Sequence, residues 1–350
     1  MRLILMCFII FSYINLCNAQ KDKLANQNYR SKHATDKLYN ASVQALQKND
    51  YYGALFYLDS IVHIAPNYVK AYIERGKIFY KKERKNDALL EFQHALSIEP
   101  ANGEALFFQA YVKFTQDTAS VTSEDFNKAI INNYKFPHVY YYRGLCKLID
   151  NQFNDAIADF TLAIEQKPDY AKAYHDRGTA KRMLGDFQGA IYDYRLAITY
   201  DPKLIIAYEN MGSTKKMLGD FQGAEEDYNV AINIDSTNYI YYNNRGGVRY
   251  ALGNFEGAKK DFNKAFELKP DSYEVLTNIG IEITKEGDLN SAIDWYNKSI
   301  EINHTYAKSY LNRGITQELL GMLTDACSDW QKASELGSSE ATGYLKECNK

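Results

Sequence analysis

Residues 183–190 read MLGDFQGA, and residues 217–224 read MLGDFQGA again. The offset is 34 residues, and it governs nearly the whole chain. Gly76, Gly144, Gly178, Gly212, Gly246, Gly280 and Gly314 stand in phase at this period, with Ser42 and Ala110 in the remaining slots. Twelve residues after each comes another small residue, such as Ala54, Ala88, Ala190 or Ala326, with Thr122 as the exception. Four further on comes a large one: Leu58, Phe92, Phe126, Phe160, Tyr194, Tyr228, Phe262, Tyr296 and Trp330. Nine units therefore start at residues 35, 69, 103, 137, 171, 205, 239, 273 and 307, without an insertion. A fixed period of this length means stacked supersecondary units, each burying its apolar face on its neighbours.

Within a unit, numbered by place from 1 to 34, apolar spacing is helical in two blocks. Gly185, Gly219, Gly253, Gly287 and Gly321 fall between the blocks at place 15, where a left-handed residue stops a helix. Prolines 66, 100, 168, 202 and 270 fall at place 32, beyond the second block, and Pro137 opens a first block, where its missing N–H costs little. The spacing predicts an all-α chain of helix hairpins. Small residues at places 8 and 20 let the two helices approach, and the large residue at place 24 fills the space beside them.

These residues resemble the tetratricopeptide repeat. Place 4 reads Tyr72, Tyr140, Tyr174, Tyr208, Tyr242 and Tyr310, and place 27 reads Ala95, Ala129, Ala163, Ala197, Ala231, Ala265 and Ala333. The resemblance covers residues 35 to about 340. It implies a right-handed superhelical solenoid with first helices on the concave face and second helices on the convex face. Unit three departs most, with Thr122 for Ala, Tyr134 for Pro and a Thr-Ala-Ser-Val-Thr-Ser turn. A short helix over Ser339–Cys348 is expected to cap the C-terminal end.

The N-terminus reads differently. Met1 and Arg2 precede a 14-residue apolar run, Leu3–Leu16, and Cys17-Asn18-Ala19 follows. This is the pattern of a secretory signal peptide over 1–19, cleaved after Ala19; the run is shorter than the roughly 20 apolar residues a membrane span needs. A lipoprotein acylated at Cys17 is the minor alternative. Residues 20–34 are expected to form a loose polar leader, and the mature chain, exported to a periplasm or secreted, is expected to insert in no membrane. Of the cysteines outside the signal, Cys146, Cys327 and Cys348, an odd count is no disulfide framework. Cys327 and Cys348 are expected to be small buried hydrophobes, with a disulfide between them as the alternative.

A formal charge of −3 argues against a nucleic-acid partner, which selects a basic excess. No metal-ligand pair of histidines, phosphate loop, nucleophile elbow or CxxC motif occurs, so no enzyme, cofactor or metal is expected. Arg75, Arg143, Arg177, Arg245 and Arg313 at place 7 always coexist with an acid at place 23: Glu91, Asp159, Asp193, Asp261 and Asp329. Five copies in register predict structural ion pairs within or between units. Asp125 and Asp227 occupy place 23 without an arginine.

In the family, places 2, 5, 9 and 12 of the first helix face the ligand. The resemblance thus offers Tyr39, Ile73, Lys77, Tyr80, Phe107, Tyr111, Phe114, Tyr141 and Leu145 in units one to four. Units five and six give Lys172, His175, Arg182, Glu209 and Lys216. Units seven to nine give Asn243, Tyr250, Thr277, Lys308 and Glu318. The stripe is aromatic first, basic in the middle and mixed last. It suits an extended or helical partner segment with an apolar part and an acidic part. The family's carboxylate-clamp subtype is rejected, because no unit carries Lys at place 5 with Asn at place 9. The expectation is an exported protein-interaction scaffold. A co-chaperone holding unfolded segments and a small-molecule or glycan binder are the alternatives.

Overall fold

The computed structural model describes residues 32–346 and residue 348. The expected signal peptide and most of the leader lie outside the described residues. The described end of the leader, 32–34, is already helical and belongs to a helix α1 over 32–47, so the loose segment does not extend to residue 34.

The described residues form two compact units, one ending at Gln166 and one beginning at Lys167. In unit 1, α1 is followed by α2 (Tyr51–Ile64), α3 (Val69–Lys81), α4 (Lys85–Ile98), α5 (Gly103–Gln116), α6 (Ser123–Ile131), α7 (Pro137–Ile149) and α8 (Phe153–Gln166). In unit 2 come α9 (Ala171–Met183), α10 (Phe187–Tyr200), α11 (Ile205–Met217), α12 (Phe221–Ile234) and α13 (Tyr239–Ala251). They are followed by α14 (Phe255–Leu268), α15 (Tyr273–Glu286), α16 (Leu289–Ile302), α17 (Ala307–Leu319), α18 (Leu323–Glu335) and the short α19 (Ala341–Tyr344). The described fold is all-α. Within each unit, helices pair into hairpins, and each hairpin packs on the next along a solenoid.

The MLGDFQGA segment shows why a hairpin turns where it does. Gly185 adopts φ +83°, which closes α9 at no steric cost to a residue without a Cβ. The next residue, Asp186, caps α10 by accepting a hydrogen bond from the Gly189 N–H at 2.9 Å, satisfying a donor left open by the first turn. Asp220, Asn254 and Asp288 cap α12, α14 and α16 in the same way. Unit 1 makes the corresponding turn with Asn49 (φ 58°), Glu83 (φ 60°) and Asn151 (φ 58°).

The two helices of a hairpin meet at glycine. A Cβ built on Gly280 would lie 2.6 Å from the Tyr296 ring, and one on Gly76 would lie 2.6 Å from Phe92. The large residues of place 24 are the centre of the core: Phe92, Phe126, Phe160, Tyr194 and Trp330 have no exposed surface. Unit three departs in structure as in sequence. Its second helix, α6, has nine residues, and a single 3-10 turn, Thr118–Ser120, precedes it. Thr122 has left the close-packed position and instead caps α6, with Asp125 accepting from the Thr122 N–H at 3.0 Å. Asp125, which has no arginine opposite it, completes a capping box.

The five arginine–acid pairs form, each within its own repeat. Arg143 grips Asp159 through both carboxylate oxygens at 2.9 and 2.5 Å. Arg177 holds Asp193 at 2.8 and 2.7 Å, Arg245 holds Asp261 at 2.9 and 2.6 Å, and Arg313 holds Asp329 at 2.7 Å through each oxygen. Arg75 reaches Glu91 at 3.0 Å and Asp59 of the preceding repeat at 3.2 Å. The free edge of the guanidinium also crosses to the preceding repeat at Arg143–Asn127, Arg245–Asn229 and Arg313–Asn297. Each such arginine therefore ties two hairpins together, and removing one partner from a buried pair costs about 3–5 kcal/mol.

At the C-terminal end, the cap is shorter than the expected Ser339–Cys348 helix: α19 is one turn, Ala341–Tyr344. Tyr344 stacks on Trp330 with centroids 4.9 Å apart. Cys327 and Cys348 are joined by a disulfide, which corrects the expectation of two separate buried thiols. Cys327 lies half-buried on α18, against the core of the last hairpin, and the cap folds back far enough to meet it. Cys146 is free and buried, and burial pushes its thiol up to about 12.

Candidate functional site

The candidate site is the face built by the first helices, taken separately in each unit. In unit 1 much of the expected stripe is core. Ile73, Phe107 and Tyr141 are 2%, 2% and 7% exposed, so these three leave the set of groove candidates. All three stand at place 5, and in these repeats the side chain there is directed into the stack. Ile73 packs with Ala105 and Val112 of α5, Phe107 stacks on Tyr134 with centroids 4.9 Å apart, and Tyr141 leans on Phe160. Phe114 is buried as well.

What unit 1 does present is a row of half-buried tyrosines. Tyr80 donates its hydroxyl to Tyr111 at 3.0 Å, and the Tyr111 ring lies 4.9 Å from that of Tyr142. Burial and the bond with Tyr80 push the Tyr111 phenol well above its usual range. Lys77 bridges Glu74 at 2.9 Å and Glu104 at 2.5 Å, so its charge is already matched. Tyr39 is half-buried against Tyr68.

In unit 2 the first-helix face is polar. His175 is committed internally. Its Nε2 accepts from the Asn210 amide at 2.8 Å, because that amide nitrogen can only donate, and its Nδ1 faces Asp176 at 2.8 Å. Arg182 is half-buried, with an Nε that has no hydrogen-bond partner. Burial raises the Glu209 carboxyl, with Arg182 and His175 pulling the other way. Lys172 is exposed at the start of α9.

Further along, α11, α13, α15 and α17 enclose a hollow of about 440 Å³. Lys216 enters from α11; Asn243, Asn244, Gly247 and Tyr250 from α13; Glu274, Asn278 and Ile281 from α15; and Lys308 from α17, with Phe262 and Tyr306 completing the wall. Three of the sequence-predicted site residues, Lys216, Asn243 and Tyr250, meet here, and Lys308 of the wider stripe joins them. Burial lowers the Lys216 ammonium from its usual value, and burial together with the charge of Lys216 lowers that of Lys308. Both side chains nonetheless remain accessible to solvent: protein walls surround them on several sides without covering them. Thr277 is fully buried, hydrogen-bonded to Ser299 and Ser309 at 2.9 and 2.7 Å, and takes no part.

Asn244 and Asn278 stand at place 6, outside the four-place stripe that the family resemblance supplies. The signal was present: Asn210, Asn244, Asn278 and Asn312 recur at the 34-residue period. Asparagines in register at half-buried helical positions form a polar row that can serve a ligand or their neighbours. Here it meets both kinds of surroundings, bonding His175 at Asn210 and lining the hollow at Asn244 and Asn278.

Among the described residues, no helix is long and apolar enough to cross a membrane. A comparison with curated protein sequences finds no match. Among solved structures, the Cut9–Hcn1 assembly of the APC/C matches with a TM-score of 0.58 at 16% identity, over 87% of this chain and 60% of that one. The C-terminal part of a TPR repeat-containing protein from Cytophaga hutchinsonii matches with a TM-score of 0.51 at 20% identity, over 67% of this chain and 98% of that one. PilF of Pseudomonas aeruginosa matches with a TM-score of 0.51 at 20% identity, over 60% and 97%. At these identities the likeness concerns fold alone. Tetratricopeptide-repeat family models match residues 69–102 and 239–272, and a TPR-repeat model matches 282–321. In the matched stretches and in its hairpin architecture, this chain has the repeats and the fold of tetratricopeptide-repeat proteins.

Proposed function

We propose that this chain is a non-enzymatic protein-interaction scaffold, exported after cleavage near Ala19, that holds a segment of a partner polypeptide against its first helices. The observation that carries the reading is the hollow of unit 2. Lys77, Arg143 and Arg177 are paired with acids, whereas here carboxamides, phenols and ammonium groups face solvent around an open space. The TPR-type fold supports the same reading, since proteins built this way present a continuous face to peptides. Lys172, Arg182 and Lys216 would meet acidic parts of the partner, and the Tyr80–Tyr111–Tyr142 row would supply contact area in unit 1. The Cys327–Cys348 disulfide suits an oxidising compartment, in keeping with export.

The test uses the full chain and peptides selected on it from a displayed random library. A photo-crosslinking residue is placed at Tyr250, in the hollow, or at Tyr192, which is 58% exposed on the second helix α10. Selected peptides are expected to crosslink at Tyr250 and not at Tyr192. Equal crosslinking at both positions, or crosslinking at Tyr192 alone, overturns the reading. Export predicts a mature N-terminus at Gln20 by end-group sequencing.

One observation favours a co-chaperone as the second reading: Tyr52 and Phe56 on α2 are 79% and 68% exposed. That reading predicts suppression of aggregation of a denatured client, lost in the Tyr52→Ser, Phe56→Ser double variant.

A further inference from the structure

Lys216 and Lys308 are the two first-helix cations that line the hollow. Lys77, Arg143, Lys147, Arg177, Lys181, Lys215 and Arg249 all lie within ion-pair distance of an acid. Among the described residues, Lys216 shows no hydrogen bond and no carboxylate. Lys308 donates to a carboxamide, the Asn278 Oδ1, at 3.0 Å.

That one contact orients the rest of the hollow. An ammonium can only donate, so it fixes the oxygen of the Asn278 side chain toward Lys308. The Asn278 Nδ2 then donates to the Asn243 Oδ1 at 2.8 Å. This leaves the Asn243 amide nitrogen as the end of the chain, with both hydrogens available. The relay consumes acceptors and delivers donors: the Asn243 amide, the remaining Lys308 protons and the three protons of Lys216. A donor-rich, partly desolvated cavity is complementary to an acceptor, and best to an anion.

The charge count narrows the class. Two ammonium groups and one carboxylate, Glu274, line the hollow, a net charge of one positive unit. Glu274 is itself engaged by the Ser272 hydroxyl at 2.7 Å. A monoanionic carboxylate suits this small surplus better than a phosphomonoester dianion, the more so because the Glu340 carboxylate also acts on Lys308.

Resting on the scaffold reading, we propose that this hollow is a carboxylate subsite: it seats an acidic side chain of the bound peptide between Lys216 and Lys308, oriented by the Asn243 amide. The ligand lies across α11, α13, α15 and α17, so it bridges four consecutive hairpins of unit 2.

The test measures anisotropy of a short labelled peptide with glutamates spaced by glycines, end-blocked, against its glutamine and phosphoserine twins. The full chain is expected to prefer the glutamate peptide and to release it at high salt. The Lys216→Gln, Lys308→Gln double variant, with helicity checked by circular dichroism, should bind it about tenfold more weakly or worse. Glu274→Gln should bind it more tightly, an effect that lost packing would not produce. The proposal is overturned by absent binding, by equal binding of the glutamine twin, by preference for phosphoserine, or by an unaffected double variant. Its failure differs from that of the scaffold: if selected peptides still crosslink at Tyr250 in the double variant as in wild type, the scaffold stands and the subsite falls. If no peptide crosslinks there at all, the scaffold reading falls.

Discussion

Asp227 faces Lys215 at 2.8 Å, in the repeat where Met211 occupies the place that holds arginine in five others. The difference between the two arrangements is geometric. A guanidinium meets both carboxylate oxygens at once, as at Asp193 and Asp261. The single ammonium of Lys215 is near Asp227 but leaves the Oδ2 without a well-aligned hydrogen bond. Burial therefore outweighs pairing and pushes the Asp227 carboxyl up to about 6.

The sign of the consequence follows from linkage. In the unfolded chain the carboxyl titrates near its ordinary value of about 3.9, so between about pH 4 and 6 the folded protein binds the proton more tightly. The folded state is favoured at low pH, and that contribution is lost as pH rises through 6. At neutral pH, Asp227 costs up to roughly 3 kcal/mol. Asp227→Asn mimics the protonated form and should raise the urea midpoint at pH 7.5. The gap to wild type should close toward pH 4. A gap of the same size at both pH values would refute the assignment.

Glu83 is the non-asparagine side chain at a left-handed hairpin turn, with φ 60°, and it is exposed. Left-handed backbone costs an ordinary L-residue about 1–2 kcal/mol, and glycine returns part of that gain as unfolded-state entropy. Glu83→Gly should stabilise unit 1 by about 0.5–1 kcal/mol. Asn151→Gly should yield less, because asparagine tolerates the conformation better. Chemical denaturation of the two variants beside wild type gives the ranking, and a destabilised Glu83→Gly would contradict it.

Adding one methyl group to each of two equivalent glycines tests the hairpin packing. At Gly280 the new Cβ would sit 2.6 Å from the Tyr296 ring; at Gly212 it would sit 3.2 Å from the Tyr228 ring. Tyr296 is also held through its hydroxyl by Thr284 at 3.0 Å, so it has little freedom to retreat. Gly280→Ala should cost about 1–3 kcal/mol, in the range of overpacking, and Gly212→Ala less. Equal urea midpoints for the two variants would mean that the hairpins relax freely.

How much of this could be read from the chain depends on whether periodicity carried it. The glycine stops at Gly185 and Gly219, the close approach at Gly280 and the five arginine–acid pairs all repeat in register, and the register exposed them. Place 5 misled because the stripe assigns a face by helical angle alone. Whether Ile73 or Phe107 faces a ligand or the next hairpin depends on side-chain size and on what the neighbour offers, here Ala105 and Tyr134. The hollow was half visible: Lys216, Asn243 and Tyr250 belonged to the stripe, but the donor relay through Asn278 needed coordinates. The Cys327–Cys348 link stayed open in the sequence: Cys348 continues the place-8 phase of Gly314, but the period does not say how far the cap folds back toward Cys327.

That link governs the last hairpin. Trp330 is fully buried, with Tyr344 of the cap stacked on it at 4.9 Å. The cap has one helical turn, too short to hold itself in place. Cross-linking residues 21 apart removes unfolded-state entropy worth about 3 kcal/mol in the chain-entropy description. Cys348→Ser, or treatment with a dithiol reductant that becomes a cyclic disulfide as Cys327 and Cys348 become thiols, should therefore release Ala341–Leu345 and wet Trp330. In a Trp295→Phe background, where Trp330 is the remaining tryptophan, the emission should shift to the red and become open to a collisional quencher. Unit 1 should be untouched, so the change should leave the tyrosine row around Tyr111 as it was. An emission maximum unmoved by reduction would mean that the Trp330–Tyr344 stack alone secures the end of the solenoid.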